Sequence, residues 1–115
     1  MISGIGVDIA QISRFDSHDE RFYSKILSAH EMERPVSAEY AASRFAAKEA
    51  FSKALGTGIR GFSMTEISVM EDENGKPYFC FEGKAAEVAS GKRFFLSISH
   101  DGGMAVAMVV AEYEE

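Results

Sequence analysis

The chain contains a single cysteine, Cys80. That excludes an intrachain disulfide and any zinc site built on several thiolates, and it suits a reducing compartment. Positive charge is scarce as well. Twelve Lys and Arg against 18 Asp and Glu leave a net charge of −6, which argues against general binding to nucleic acid or anionic membranes, since both need a basic surface. A local basic patch stays compatible with that balance. Long hydrophobic runs are missing too. The longest, Met104 to Ala111, falls far short of the roughly 20 residues that span a bilayer. Met1 to Val7 carries no basic leader and Asp8 interrupts its apolar run, unlike a secretory signal, so a cytoplasmic location is expected. There are no internal repeats, linkers or low-complexity segments. The 115 residues, 46% hydrophobic and 26% charged, are therefore expected to form one soluble domain spanning 1–115.

What is present is organised around Arg44 to Gly58, RFAAKEAFSKALGTG. Projected at about 100° per residue, Ala46, Ala47, Ala50, Phe51, Ala54 and Leu55 share one apolar arc. Lys48, Glu49, Ser52 and Lys53 gather opposite, with Arg44 at the edge of that side. Ser37 is a plausible N-cap and Gly56 a natural stop, which predicts a helix from about Ala38 to Leu55. The plain reading of its charges is a solvated surface with an i,i+4 pair, Glu49–Lys53.

Residues 2–9 read as a strand with Ile5, Val7 and Ile9 on one face and Gly4, Gly6 and Asp8 on the other. Asp8 is either a strand-end aspartate opening the next turn or a carboxylate flanked by bare backbone, open to an ion or a phosphate. Ser17-His18-Asp19-Glu20 and Ser28-Ala29-His30-Glu31 fit capping boxes. The first would start a short helix reaching about Leu27, with Arg21 and Lys25 on one face and Arg14 just ahead of it. Pro35 ends the second short helix. Gly56, Gly58 and Gly61 spell G-x-G-x-x-G, but the helix precedes the glycines, so a dinucleotide-binding reading fails. Thr65 to Met70 and Pro77 to Glu82 form a hairpin around Asn74-Gly75, followed by a short helix ending at Gly91. Two strands follow, Arg93 to His100 and Met104 to Tyr113. The last is apolar on both faces and is expected to be buried on both, centrally or in a subunit interface. The order predicts a small α+β domain with a mostly antiparallel sheet packed against one long helix and shorter helices.

Ser99-His100-Asp101 is not a catalytic triad, because neighbouring strand residues point to opposite faces. His100 is either a single exposed imidazole or a histidine hydrogen-bonded in a turn. Two carboxylates, Asp8 and Glu49, with no other strong ligand cluster, suit a hard cation that keeps several waters, hence magnesium with phosphate. Lys48 and Lys53 suit the remaining phosphate charge. Such a constellation points to phosphoryl-type transfer, provided that the segments meet.

Three blocks, GVDIAQISRF (Gly6 to Phe15), RFAAKEAFSKALGTG and SISHDGGMAVA (Ser97 to Ala107), resemble the holo-acyl-carrier-protein synthases, the short branch of the 4′-phosphopantetheinyl transferases. EISV (Glu66 to Val69) and NGKP (Asn74 to Pro77) fit the same order. The resemblance implies transfer of phosphopantetheine from coenzyme A to a serine of apo-acyl-carrier protein, with release of adenosine 3′,5′-bisphosphate. It maps Asp8 and Glu49 to Mg²⁺ ligands and Lys53 to a pyrophosphate contact. Arg44 and His100 fall near the nucleotide phosphates, and Asn74, Gly75 and Pro77 in a loop beside the adenine. Arg14, Arg21 and Lys25 lie where the acidic carrier docks, and a homotrimer with active sites between subunits is implied. Two departures stand out: the segment between Leu27 and Ser43 is shorter than usual, and the docking helix is less basic. The alternatives are a related transferase serving secondary-metabolite carrier domains and a non-catalytic coenzyme A-binding module.

Overall fold

The computed structural model describes residues 1–16 and 19–114. Strand β1 (Ile2–Gln11) leads through a 3₁₀ turn (Ile12–Phe15) and a short helix α1 (Glu20–Tyr23) to a second 3₁₀ turn (Glu31–Glu33) and the long helix α2 (Ala38–Leu55). A third 3₁₀ turn (Met64–Glu66) introduces β2 (Ile67–Glu71) and β3 (Pro77–Phe81). Helix α3 (Gly83–Ala89) and strands β4 (Lys92–Asp101) and β5 (Met104–Tyr113) complete the chain. The fold is α+β. Its strands form two antiparallel sheets rather than one, β1-β5-β4 and the hairpin β2-β3.

Helix α2 has the bounds that its caps predict. Ser37 Oγ accepts the Tyr40 N–H at 3.0 Å, and Gly56 takes up φ +86° just past Leu55, a left-handed geometry that glycine adopts without a Cβ penalty. Its surroundings differ from the expectation. Ala46, Ala47, Ala50, Phe51 and Ala54 are buried, but so are Ser43, Arg44, Lys48 and Ser52. One side of α2 lies on the three-stranded sheet while the other is covered by the Glu31–Glu33 turn and the β2-β3 hairpin, so most of the supposed polar side never meets solvent. Phe51 is the hub. Its ring lies 4.9 Å from those of Phe81 and Phe94, and 5.6 and 5.7 Å from those of Phe79 and Phe62, joining the hairpin to β4.

Gly4 and Gly6 do not leave bare backbone open to a ligand. A Cβ at Gly4 would lie 1.9 Å from Ala54 O, and one at Gly6 1.9 Å from Ala50 O. The backbones of β1 and α2 touch, and only glycine permits that approach.

Strand β5 is central, with Ala105, Ala107, Val109 and Ala111 buried beneath α2. Among the described residues its other face is only partly covered, so the protomer alone buries one face of the strand and the subunit-interface alternative concerns the other. Met108 is exposed there, together with Ile5, Val7 and Ile9 of β1 and Phe95 of β4. The register sets Ile5 and Phe95 on either side of Val110, making one apolar outer surface.

The shorter elements show how local chemistry sets their ends. Asp19 Oδ1 caps α1 by accepting the Phe22 N–H at 3.0 Å; Ser17 and His18, the first half of the expected capping box, lie outside the described residues. Regular helix stops at Tyr23, and turn bonds carry the chain on to Leu27, whose N–H reaches Tyr23 O at 2.8 Å. The Ser28–Glu31 capping box is present in both directions, at 2.9 and 3.2 Å. In the hairpin, Asp72 Oδ1 accepts the N–H groups of Asn74 and Lys76, while Gly75 supplies φ +82°.

Candidate active site

The close approach of β1 and α2 brings three of the expected site residues together. Lys53, three residues before the C-cap, donates from Nζ to Val7 O at 2.9 Å and to Asp8 Oδ1 at 3.1 Å. Glu49 sits one turn earlier on α2. Burial pushes its carboxyl above the ordinary glutamate range, the Asp8 charge pushes it further, and Lys53 partly opposes them. Asp8, which Lys53 contacts, is thus one of the groups that raise the Glu49 pKa. Among the described residues there is no group of three or more His, Cys, Asp or Glu able to enclose a metal. Two hard oxygen donors of this kind would fit a divalent cation that takes the rest of its ligands from water and phosphate.

A second set converges elsewhere. A cleft of ≈ 210 Å³ is lined by Glu39, Ser43, Arg44, Glu71, Gly75, Pro77, Ile98 and His100. Four of the expected nucleotide-end residues, Arg44, Gly75, Pro77 and His100, meet there. Asn74 sits in the exposed turn beside them and is not part of that lining. Arg44 is held from three directions: Nη1 donates to Ser43 Oγ at 3.0 Å, Nη2 meets Glu71 Oε2 at 3.3 Å, and the guanidinium lies 4.2 Å from the centre of the Tyr40 ring. Its Nε is buried without a hydrogen-bond partner among the described residues. His100 Nε2 lies 3.4 Å from Glu39 Oε2 in the first turn of α2. Asp8 and His100 belong to opposite edge strands of the sheet, with α2 packed on the face between them. One protomer therefore carries the two sets on separate flanks.

Lys48 joins neither set. It is 0% exposed, and its ammonium gives all three donors inward, to Glu31 Oε1 at 2.6 Å, Ile26 O at 2.8 Å and Met64 O at 3.1 Å. Burial pulls its pKa below the ordinary lysine value, against the opposing pull of Glu31. The expectation that Lys48 contacts phosphate is corrected: the helical projection placed it on a polar face that the Glu31–Glu33 turn covers. Glu31 is the residue that sequence reading missed. Beyond capping its turn and pairing with Lys48, it accepts the Val69 N–H at 2.7 Å, tying turn, helix and hairpin in one buried node. The Ser28–Glu31 capping box was its only trace in the sequence.

The docking candidates are all at the surface. Arg14, Arg21 and Lys25 are exposed, and the segments bearing the two arginines are joined by Phe15 and Phe22, whose ring centres are 6.1 Å apart. Tyr23 reinforces that joint by donating from its hydroxyl to Phe15 O at 2.7 Å. Lys25 falls in the turn after α1 rather than on its helical face.

A family model described as the 4′-phosphopantetheinyl transferase superfamily matches residues 4–106. The chain belongs to that superfamily. It is an enzyme of the phosphopantetheinyl transferase class, and its fold is that of the solved members. The holo-[acyl-carrier-protein] synthase of Geotalea daltonii is 45% identical, covering 97% of this chain and 99% of that protein. Their alignment runs over 124 positions against 115 residues here, so the relative carries residues that this transferase lacks. The crystal structure of a holo-(acyl-carrier-protein) synthase from Bacillus anthracis, in complex with CoA (3′,5′-ADP), superposes with a TM-score of 0.85 at 39% identity, covering 99% of both chains. The Helicobacter pylori synthase in complex with coenzyme A superposes at 0.79 with 31% identity, covering 94% of this chain and 99% of that one.

Proposed function

We propose that this protein transfers the 4′-phosphopantetheine group of coenzyme A to a serine of apo-acyl-carrier protein, serving fatty acid synthesis in the cytoplasm. The serine hydroxyl gives up its proton as its oxygen bonds to the β-phosphorus of coenzyme A, the bond from that phosphorus to the bridging oxygen breaks, and adenosine 3′,5′-bisphosphate leaves. The observation that carries the reading is the contact of Lys53 with Asp8 across the β1–α2 junction, with Glu49 one turn earlier on α2. Asp8 and Glu49 would hold Mg²⁺, which when bound neutralises charge on the diphosphate. Lys53 uses two of its three donors on Val7 O and Asp8, leaving one for a phosphate oxygen of the leaving group. Arg44 and His100 take the nucleotide end in their cleft, with Gly75 and Pro77 beside the base and Asn74 at its rim. Arg14, Arg21 and Lys25 offer a local positive surface to an acidic carrier, an attraction that fades with salt.

The two flanks act together when copies associate. The apolar outer face around Ile5, Val7, Ile9, Phe95 and Met108 is the kind of surface that marks an interface. A homotrimer built on it would set the Asp8 edge of one copy against the His100 edge of the next. Weighing an apo-acyl-carrier protein after incubation with coenzyme A and Mg²⁺ tests the activity: a gain of one phosphopantetheine is expected. Asp8→Ala and Glu49→Ala each abolish the gain while leaving the thermal midpoint within a few degrees. Full transfer by both variants would remove the assigned roles.

A further inference from the structure

In the nucleotide cleft Arg44 and His100 each face a carboxylate. Arg44 Nη2 faces Glu71 Oε2 at 3.3 Å, and His100 Nε2 faces Glu39 Oε2 at 3.4 Å. Both carboxylates line the same cleft as the groups they face, and both are solvent-accessible, with about half of each side chain exposed. Glu71 is one of three supports of Arg44, the others being Ser43 Oγ and the Tyr40 ring. Lys53 and Asp8 repeat the arrangement on the other flank, but there the carboxylate has its own part in holding a cation.

We propose that Glu71 and Glu39 are resident counter-anions that set the specificity of the nucleotide cleft, an inference that rests on the functional reading above. On this proposal a phosphate of the ligand takes over the contact that each carboxylate makes, so binding displaces the carboxylate. A phosphate dianion offers more charge and three oxygens to a forked guanidinium, so it outcompetes a single half-exposed carboxylate. Weak or singly charged anions do not. The same competition loosens the product: a carboxylate that returns to Arg44 as the bisphosphate departs favours release. Exposed pairs of this kind are weak, which makes them exchangeable.

Calorimetric titration with adenosine 3′,5′-bisphosphate and with coenzyme A tests the assignment. Removing the competing charge in Glu71→Gln is expected to tighten bisphosphate binding about two- to fivefold, the range that exposed ion pairs support. Glu71→Asp keeps the charge and stays close to wild type; Glu39→Gln shifts in the same direction as Glu71→Gln. In turnover, Glu71→Gln lowers KM for coenzyme A without raising kcat, a split that loss of a merely structural contact would not produce. Unchanged or weaker binding in Glu71→Gln and Glu39→Gln, both folded, overturns the proposal while wild-type binding upholds the functional reading. Wild-type protein that binds neither ligand overturns the functional reading and this inference with it.

Discussion

Gly6→Ala is the sharpest probe of how the fold makes the site. The added Cβ would sit 1.9 Å from Ala50 O and 2.8 Å from Ala54 N. Both are backbone atoms, so no side chain can swing aside. Contacts below 3.0 Å essentially never occur for real Cβ atoms, and β1 and α2 must part by roughly 1 Å in a close-packed interior. Overpacking of this kind costs about 3 kcal/mol, or on the order of 10 °C in thermal midpoint for a domain of this size. Gly6 does not occupy the left-handed region, so steric contact alone carries the effect. The chemical consequence is larger. Lys53 reaches Val7 O and Asp8 across that same junction, and a misplacement of about 1 Å at a reacting centre costs on the order of 100-fold in rate. Thermal unfolding and the carrier mass-shift assay, run well below the midpoint, read the two effects separately. A Gly6→Ala protein with wild-type midpoint and rate would refute the claim that backbone contact positions the Asp8–Lys53–Glu49 cluster.

The two lysines of α2 are expected to part company. Lys48→Met strands the buried Glu31 carboxylate and should cost about 3–5 kcal/mol in urea unfolding. Its folded fraction should still bind coenzyme A. Lys53→Met is expected to keep its stability and lose transfer; the reverse pattern would contradict both placements. Glu66 gives the pH dependence. Its carboxylate accepts the N–H groups of Ser63 and Lys84 at 3.0 Å each, and these bonds, Ser63's first, hold its pKa below the ordinary glutamate value. The native state therefore favours the charged form: the stabilisation is complete above the unfolded value and is lost as pH falls through the lower folded one. Glu66→Gln should flatten that acid limb in pH-dependent unfolding, and an unaltered limb would count against the assignment.

The long helix and the last strand were legible in the sequence to the residue, because Ser37, Gly56 and the Asp101-Gly102-Gly103 turn are local signals that tertiary packing did not override. Asp8 and Lys53 stood out in the sequence, and the backbone contact of β1 with α2 explains why they meet. Lys48 was misread because helical projection separates polar from apolar residues but does not say what covers the polar side. The glycines of β1 were misread for a related reason. A Gly-x-Gly strand signals close approach without naming the partner, and the partner is a helix rather than a phosphate. Glu71 and Glu39 gave no signal at all: a glutamate at a strand end or in a first helical turn looks like ordinary solvated charge until the cleft is seen.

The account depends most on Asp8 and Glu49 sharing one ion with coenzyme A. A crystal grown with coenzyme A and Mn²⁺, with diffraction recorded at the manganese absorption edge, tests that directly. The expected result is an anomalous peak bound by both carboxylates of one protomer and by a diphosphate oxygen. Manganese found away from both carboxylates, with coenzyme A in place, would contradict it.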